Sequence, residues 1–263
     1  MARNSLKSVS RLIDIANTNV PVEEQFRTDL CRSIEITDEK SARLPSQTFK
    51  PSSMTCKRGC YYQIMGVKPD ESKSTYTMIG ICDSGTDIHV RTQKAVMQMK
   101  ENGMDCEWVD VEEYIKANEL NYLEIKSKTD TETKLYDTRY NISFMCDGII
   151  KYKGKLYILE IKTETSGKWY GRTGVNPKHY NQAISYSNSL KLNDVIFLYI
   201  DRDFTGKKSY LFHVNDDMRR GLIEFIQDTQ GYVDRQIVPP KPDNASRSFC
   251  NFCAYKIQCK QDT

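Results

Sequence analysis

The stretch YNISFMCDGIIKYKGKLYILEIKT, residues 140–163, decides the reading of this chain. Its residues alternate with period two and are interrupted at Lys153-Gly154. The pattern predicts two strands, Tyr140–Ile150 and Lys155–Thr163, joined by a tight turn. Neighbouring strand residues face opposite sides, so Glu160 and Lys162 share one face while Tyr157, Leu159 and Ile161 share the other. Asp147 closes the run ISFMCD, and pairing of the two strands brings its carboxylate toward Glu160. Two converging carboxylates make a hard-cation site suited to Mg²⁺ or Mn²⁺. A lysine beside such a site can orient or help deprotonate a water while the ion polarises a phosphate. That combination suits phosphodiester hydrolysis.

The tetrapeptide Leu-Glu-Ile-Lys occurs twice, at Leu123–Lys126 and at Leu159–Lys162. On an exposed strand a Glu-x-Lys pair is ordinarily a solvated ion pair. Only the second copy has a strand ending in Asp before it and a marked helix after it. The first is therefore assigned to a plain structural strand.

Outward from this centre, helices are predicted at Leu6–Ala16, Glu23–Ile34, Gly85–Glu101 and Val111–Ala117, and at Lys178–Leu190 and Asp216–Gln230. Further strands are predicted at Tyr122–Ser127, Asp194–Ile200 and Lys208–Val214. Arg43–Ser53 reads as a loop, Lys168–Arg172 as a basic and aromatic loop, and Pro239–Pro242 as a stiff linker. The order implies an α/β core on a mixed sheet. The expected divisions are an extension over 1–50, a core over 51–238 and a cysteine-bearing segment over 239–263.

Three flanking groups bear on the site. His179, Gln182 and Tyr186 lie at i, i+3 and i+7 and share one helix face. The Gln amide suits a phosphate or a metal-bound water, and the Tyr ring suits a stacked base or a phosphate. Arg172 adds a cation to the preceding loop. His89, in Gly85-Thr86-Asp87-Ile88-His89, is placed in the first turn of its helix as a further candidate metal ligand.

The 263 residues are 39% hydrophobic and 28% charged, with a formal net charge of only +3, so a nucleic-acid surface would have to be local. No run of about 18 apolar residues marks a membrane span, and the first twenty residues lack the apolar run of a secretory leader. The expected location is a reducing cytoplasm. Nine cysteines, an odd number, argue against a complete disulfide framework. Cys31, Cys60, Cys82, Cys106 and Cys146 read as small core residues. Cys250-x₂-Cys253-x₅-Cys259 is compact, and soft thiolates so spaced bind zinc or iron–sulfur clusters.

Taken in order, Gly85-x₃-His89, Asp147, Glu160-x-Lys162 and Gln182-x₃-Tyr186 resemble the RecB-like branch of the PD-(D/E)XK nucleases. The resemblance implies a restriction-endonuclease-like mixed central sheet flanked by helices. It implies that His89, Asp147 and Glu160 hold the metal, that Lys162 serves the water, and that Gln182 and Tyr186 contact DNA. Phe144 stands where that family often has Gly. Cys56-Lys57-Arg58 followed by Tyr61-Tyr62, with the late cysteine trio, resembles the iron–sulfur subgroup, whose early motif is Cys-Pro-Arg. That implies a [4Fe–4S] cluster on Cys56, Cys250, Cys253 and Cys259 joining the two ends of the core. Zn²⁺ is the alternative occupant and Cys60 the alternative fourth ligand. The expected activity is exonucleolytic, on DNA ends or single strands, in recombination, repair or CRISPR adaptation. The other readings are a catalytically silent DNA-binding or scaffold module and a zinc-stapled endonuclease. No protein partner is implied.

Overall fold

The computed structural model describes residues 20–41, 46–70, 74–242, 250 and 253–262. The helix expected at Leu6–Ala16 lies outside them. The chain divides into two compact units, Met1–Arg43 with Ser72–Asp83, and Leu44–Glu71 with Ser84–Thr263. In the first unit, α1 (Val22–Ser41) carries Glu23 and Glu24 in its first turn, where acidic groups complement the helix dipole. Glu35 accepts a hydrogen bond from the Tyr76 N–H at 3.2 Å. Cys82 is exposed, so it does not fill a core as expected.

The remaining helices are α2 (Lys57–Ile64), α3 (Tyr76–Met97), α4 (Val111–Ala117), α5 (Ser166–Tyr170), α6 (Tyr180–Leu190), α7 (Asp216–Asp234) and α8 (Lys256–Gln261). The strands are β1 (Cys106–Val109), β2 (Leu123–Lys128), β3 (Thr133–Asp137), β4 (Ile142–Cys146), β5 (Gly148–Tyr152), β6 (Lys155–Glu164), β7 (Asp194–Asp201) and β8 (Lys207–His213). They form a five-stranded sheet, ordered β1-β5-β6-β7-β8, and a three-stranded sheet, ordered β2-β3-β4. In the larger sheet β6 and β7 run parallel and the other pairs antiparallel. This is the mixed α/β arrangement expected from the sequence, a mixed central sheet flanked by helices, with a second, smaller sheet beside it.

Alternation along β6 sorts its side chains. Ile158 joins a core with β7 residues Val195 and Phe197 and with Ala183, Leu190 and Leu222 of α6 and α7. Leu159 and Ile161 join a second core with Ile88 of α3 and Ile150 of β5. Burying each such aliphatic side chain contributes ~1.5–3 kcal/mol, so helices on both faces are held by the strand's own period. No helix among the described residues is long and apolar enough to cross a membrane.

Three expectations need correction. The single strand predicted at Tyr140–Ile150 is two. β4 pairs with β3 and β5 pairs with β1 and β6, so the two halves are drawn into different sheets, and Asp147 is the one residue between them. Second, α3 begins at Tyr76 rather than Gly85, because Thr75 Oγ1 accepts from the Met78 N–H and caps it earlier. His89 is therefore in the helix interior, not its first turn. Third, β1, β3 and the short helix α5 occupy segments read as loop or left unassigned.

Candidate active site and cysteine site

The two strands flanking Asp147 hold it at the meeting of the sheets. Its Oδ2 accepts from the Ile161 N–H at 2.5 Å, and its Oδ1 is 3.2 Å from His89 Nδ1. Glu160 comes from the middle of β6 and is 2% exposed. Its Oε1 accepts from Lys162 Nζ at 2.5 Å, and its Oε2 is buried with no hydrogen-bond partner. Burial, and next the nearby charge of Asp147, push the Glu160 carboxyl well above the usual range, against the opposing pull of Lys162. The buried Cys146 thiol is likewise pushed far up, by burial and then by the charges of Glu160 and Asp147.

From the opposite element, α6, Gln182 Oε1 accepts from Lys162 Nζ at 2.9 Å. Gln182 Nε2 donates to the Tyr186 hydroxyl at 2.7 Å, which itself donates to the Met145 carbonyl at 2.6 Å. The Tyr186 ring is 3% exposed and stacks on Phe144 at 5.2 Å between centroids. The expectation that this ring supports a stacked base does not fit its burial, its packing on Phe144 and the commitment of its hydroxyl to Gln182 and Met145. His179 is also turned inward, its Nδ1 3.0 Å from the Tyr199 hydroxyl. Burial, then Lys162 and Arg172, lower it to about 4, so it is neutral at pH 7.

Arg172 is already engaged. Its guanidinium grips the Glu164 carboxylate through Nε at 2.6 Å and through Nη2, and donates to the Gly174 carbonyl at 3.1 Å. In the same segment Trp169 Nε1 donates to the Tyr199 carbonyl at 3.1 Å, and Lys208 Nζ caps the Trp169 carbonyl at 2.8 Å. Lys168 is the exposed cation of this segment. The first Leu-Glu-Ile-Lys copy lies in the smaller sheet, where Glu124 and Lys126 pair with each other in solvent.

Among the described residues, no three His, Cys, Asp or Glu side chains are gathered to cage an ion. The available donors nevertheless suit a magnesium-like ion, which takes one or two carboxylates and keeps several waters. The buried, unpartnered Glu160 Oε2 beside a second carboxylate is the kind of oxygen that a cation would satisfy.

The cysteine segment docks on α2. Arg58, 2% exposed, donates to the Tyr62 hydroxyl at 3.0 Å and to the Asp262 carbonyl at 2.6 Å. Tyr62 donates to Asp262 Oδ2 at 2.6 Å, and Asp70 Oδ2 accepts from the Ile257 N–H at 2.7 Å. Tyr61, Tyr62 and Tyr255 form a small core against Cys253 and Cys259. Burial raises the Cys253 thiol against the opposing hydrogen bond from the Tyr255 N–H, and the charges of Cys56, Cys259 and Cys250 push it up further. Cys60 is buried, its thiol lies 3.8 Å from the Ser53 carbonyl, and burial, then the charges of Cys56 and Cys253, push it up to about 12.

The site residues that sequence reasoning passed over are Gln93, which reaches the backbone of Asp147, and Gly148, whose absent Cβ leaves room for the Trp108 ring. The faint signal for Gln93 is its position four residues after His89, on the same helix face.

No family model and no curated protein matches the chain. Among solved structures, it is similar to a protein named SSO0001, at 16% identity and a TM-score of 0.46, over 88% of this chain and 95% of that one. It is also similar to an alkaline exonuclease, LHK-Exo, from Laribacter hongkongensis, at 10% identity and a TM-score of 0.45, over 73% of this chain and 90% of that one. The same exonuclease in complex with dAMP gives 11% identity and a TM-score of 0.44, over 72% of this chain and 89% of that one.

Proposed function

We propose that this chain is a Mg²⁺- or Mn²⁺-dependent deoxyribonuclease of the PD-(D/E)XK kind that removes nucleotides from DNA ends or single strands. The observation that carries the reading is the convergence of Asp147, a buried Glu160 with an unpartnered oxygen, and Lys162 at the mouth of α6. Asp147 and Glu160 are the residues that would hold the ion, with His89 behind Asp147. The bound ion would polarise the phosphodiester and offset charge developing on it. Lys162 supplies a cation and a proton donor beside the reacting phosphate, and Gln182 fixes the direction of its ammonium. Tyr186 acts from the core, holding Gln182 rather than touching a base. Arg172 holds Glu164 and neutralises that carboxylate on the face where DNA would lie.

The test is cleavage of linear and closed circular single strands with Mg²⁺ or Mn²⁺. Digestion of linear DNA that is abolished in Glu160→Gln and Asp147→Asn proteins of native fold is the expected result. Cutting of closed circles would replace the exonuclease reading with an endonuclease, and full activity in both variants would overturn the site.

The cysteine site is proposed to hold one [4Fe–4S] cluster on Cys56, Cys250, Cys253 and Cys259. What supports it is the docking of the cysteine segment on α2, the helix that Cys56 precedes, with Cys253 and Cys259 packed against Tyr61, Tyr62 and Tyr255. Cys56 is taken as the fourth ligand because Cys56-Lys57-Arg58 stands where the subgroup has its early motif, with Cys60 as the alternative. Iron and zinc content of anaerobically purified Cys56→Ser and Cys60→Ser proteins distinguishes the two. Zinc in place of iron would change the occupant, and metal loss in Cys60→Ser alone would change the ligand.

A further inference from the structure

Asp147 lies between two sheets and belongs to neither ladder. A junction residue of this kind has its backbone carbonyl free of the regular strand pattern, and a buried carbonyl needs a donor. Gln93 supplies it. The side chain is fully buried, and its Nε2 donates to the Asp147 carbonyl at 2.7 Å and to the Thr131 carbonyl at 3.2 Å. Thr131 sits in the turn leading into β3, so one amide ties α3 to the smaller sheet and to the junction at once. In doing so it leaves its own Oε1 buried without a partner. A side chain present only to fill space would be better apolar.

His89 and Gln93 are four residues apart on α3 and present the same face. His89 meets the Asp147 carboxylate and Gln93 its carbonyl, while the Ile161 N–H fixes the second carboxylate oxygen. On the next residue, a Cβ at Gly148 would meet the Trp108 ring at 2.3 Å. The junction is thus clasped on both sides of its peptide unit.

We infer that Gln93 is a positioning residue that sets the Asp147 carboxylate for the metal by holding its backbone. The inference rests on the reading that Asp147 holds a divalent ion. Gln93→Met keeps the volume and removes both donors. Mn²⁺ binding, followed by the electron paramagnetic resonance of free Mn²⁺, should weaken by about tenfold, the size typical of groups that orient a ligand. The half-saturating Mn²⁺ for cleavage should rise in step, with most of the rate recovered at high Mn²⁺. Gln93→Asn, which retains the amide on a shorter arm, should fall between the two, and it decides the matter if Gln93→Met does not fold. Asp147→Asn is the reference. If it loses Mn²⁺ binding while folded Gln93 variants bind as wild type does, the positioning role is overturned. If Asp147→Asn itself binds Mn²⁺ normally, the metal reading falls first and Gln93 with it.

Discussion

Leu123–Lys126 and Leu159–Lys162 are the same four residues in two settings. In the first, Glu124 and Lys126 lie on an outer face of the three-stranded sheet and pair with each other in water. In the second, Glu160 is buried beside Asp147, and Lys162 is shared between Glu160 and Gln182. The strand period is the same, and so is the spacing of acid and base. What differs is what covers them: α6 lies over one copy and solvent over the other. Water screens the first pair to a contribution of about 0–1 kcal/mol. Burial sets the second copy's Glu160 beside the Asp147 carboxylate and raises it, a cost that a bound cation would offset.

The largest effect expected from this contrast is on catalysis. Glu160→Gln or Lys162→Ala should slow DNA cleavage by at least about 10²–10³-fold, the scale of removing one group that meets developing charge. Glu124→Gln and Lys126→Ala should leave rate and melting temperature close to wild type. Equal losses from both pairs, in folded proteins, would erase the distinction.

The cysteines extend the comparison from acids to thiols. On the proposed cluster, Cys253→Ser should lower the metal content and the melting temperature, because the tail would lose a metal tie to Cys56. Cys146→Ser and Cys106→Ser, in the sheets, should keep full metal content. Elemental analysis of each purified variant gives the answer, and metal loss in Cys146→Ser would mean that burial alone does not separate the two classes.

A smaller effect distinguishes Tyr186 of α6 from Tyr136 of β3. Tyr186→Phe removes the bond to the Met145 carbonyl and the anchor of Gln182. It should cost about 1–2 kcal/mol by chemical denaturation and lower the cleavage rate without weakening DNA binding. Tyr136→Phe, which loses only a half-buried bond to Asn141 Oδ1 at 3.1 Å, should cost less. Weakened DNA binding in Tyr186→Phe would bring substrate contact back to that residue.

The smallest expected effect is in acid. His179 titrates at about 4 in the folded chain, below its ordinary value of 6.5. The unfolded chain therefore takes up the proton first, and this contribution to stability is complete above pH 6.5 and lost as pH falls toward 4. After discounting for partial exposure to water it amounts to on the order of 1 kcal/mol. His179→Gln should flatten the stability curve between those limits, and an unchanged curve would show that the ring is not kept neutral by its surroundings.

Much of this was legible in the sequence because strand period is local. The sharing of one face by Glu160 and Lys162, the turn at Lys153-Gly154 and the helix Val111–Ala117 all follow from neighbours along the chain. The exposed first copy was separable only through its context. The division of residues 142–152 between two sheets was not readable, because it depends on partners: β3 draws one half and β1 the other. The inward turn of Tyr186 was hidden for the same reason, since Phe144 and Met145 meet it from another element. Gln93 carried only the spacing from His89, with nothing in its surroundings to show that a carbonyl would need it.

The single-residue junction also bears on which changes of length the gene can tolerate. Ile149 enters one core and Ile150 the other, and β4 alternates in its own sheet up to Cys146. Adding or deleting one residue at Asp147 would not merely move a carboxylate. It would reverse the parity of one strand relative to the other and exchange inward for outward side chains along its length. Point substitutions at this place sample chemistry, whereas insertions and deletions sample the fold. A library of one-residue length variants across residues 140–155 should therefore show survivors in the Lys153-Gly154 turn and a gap at the junction.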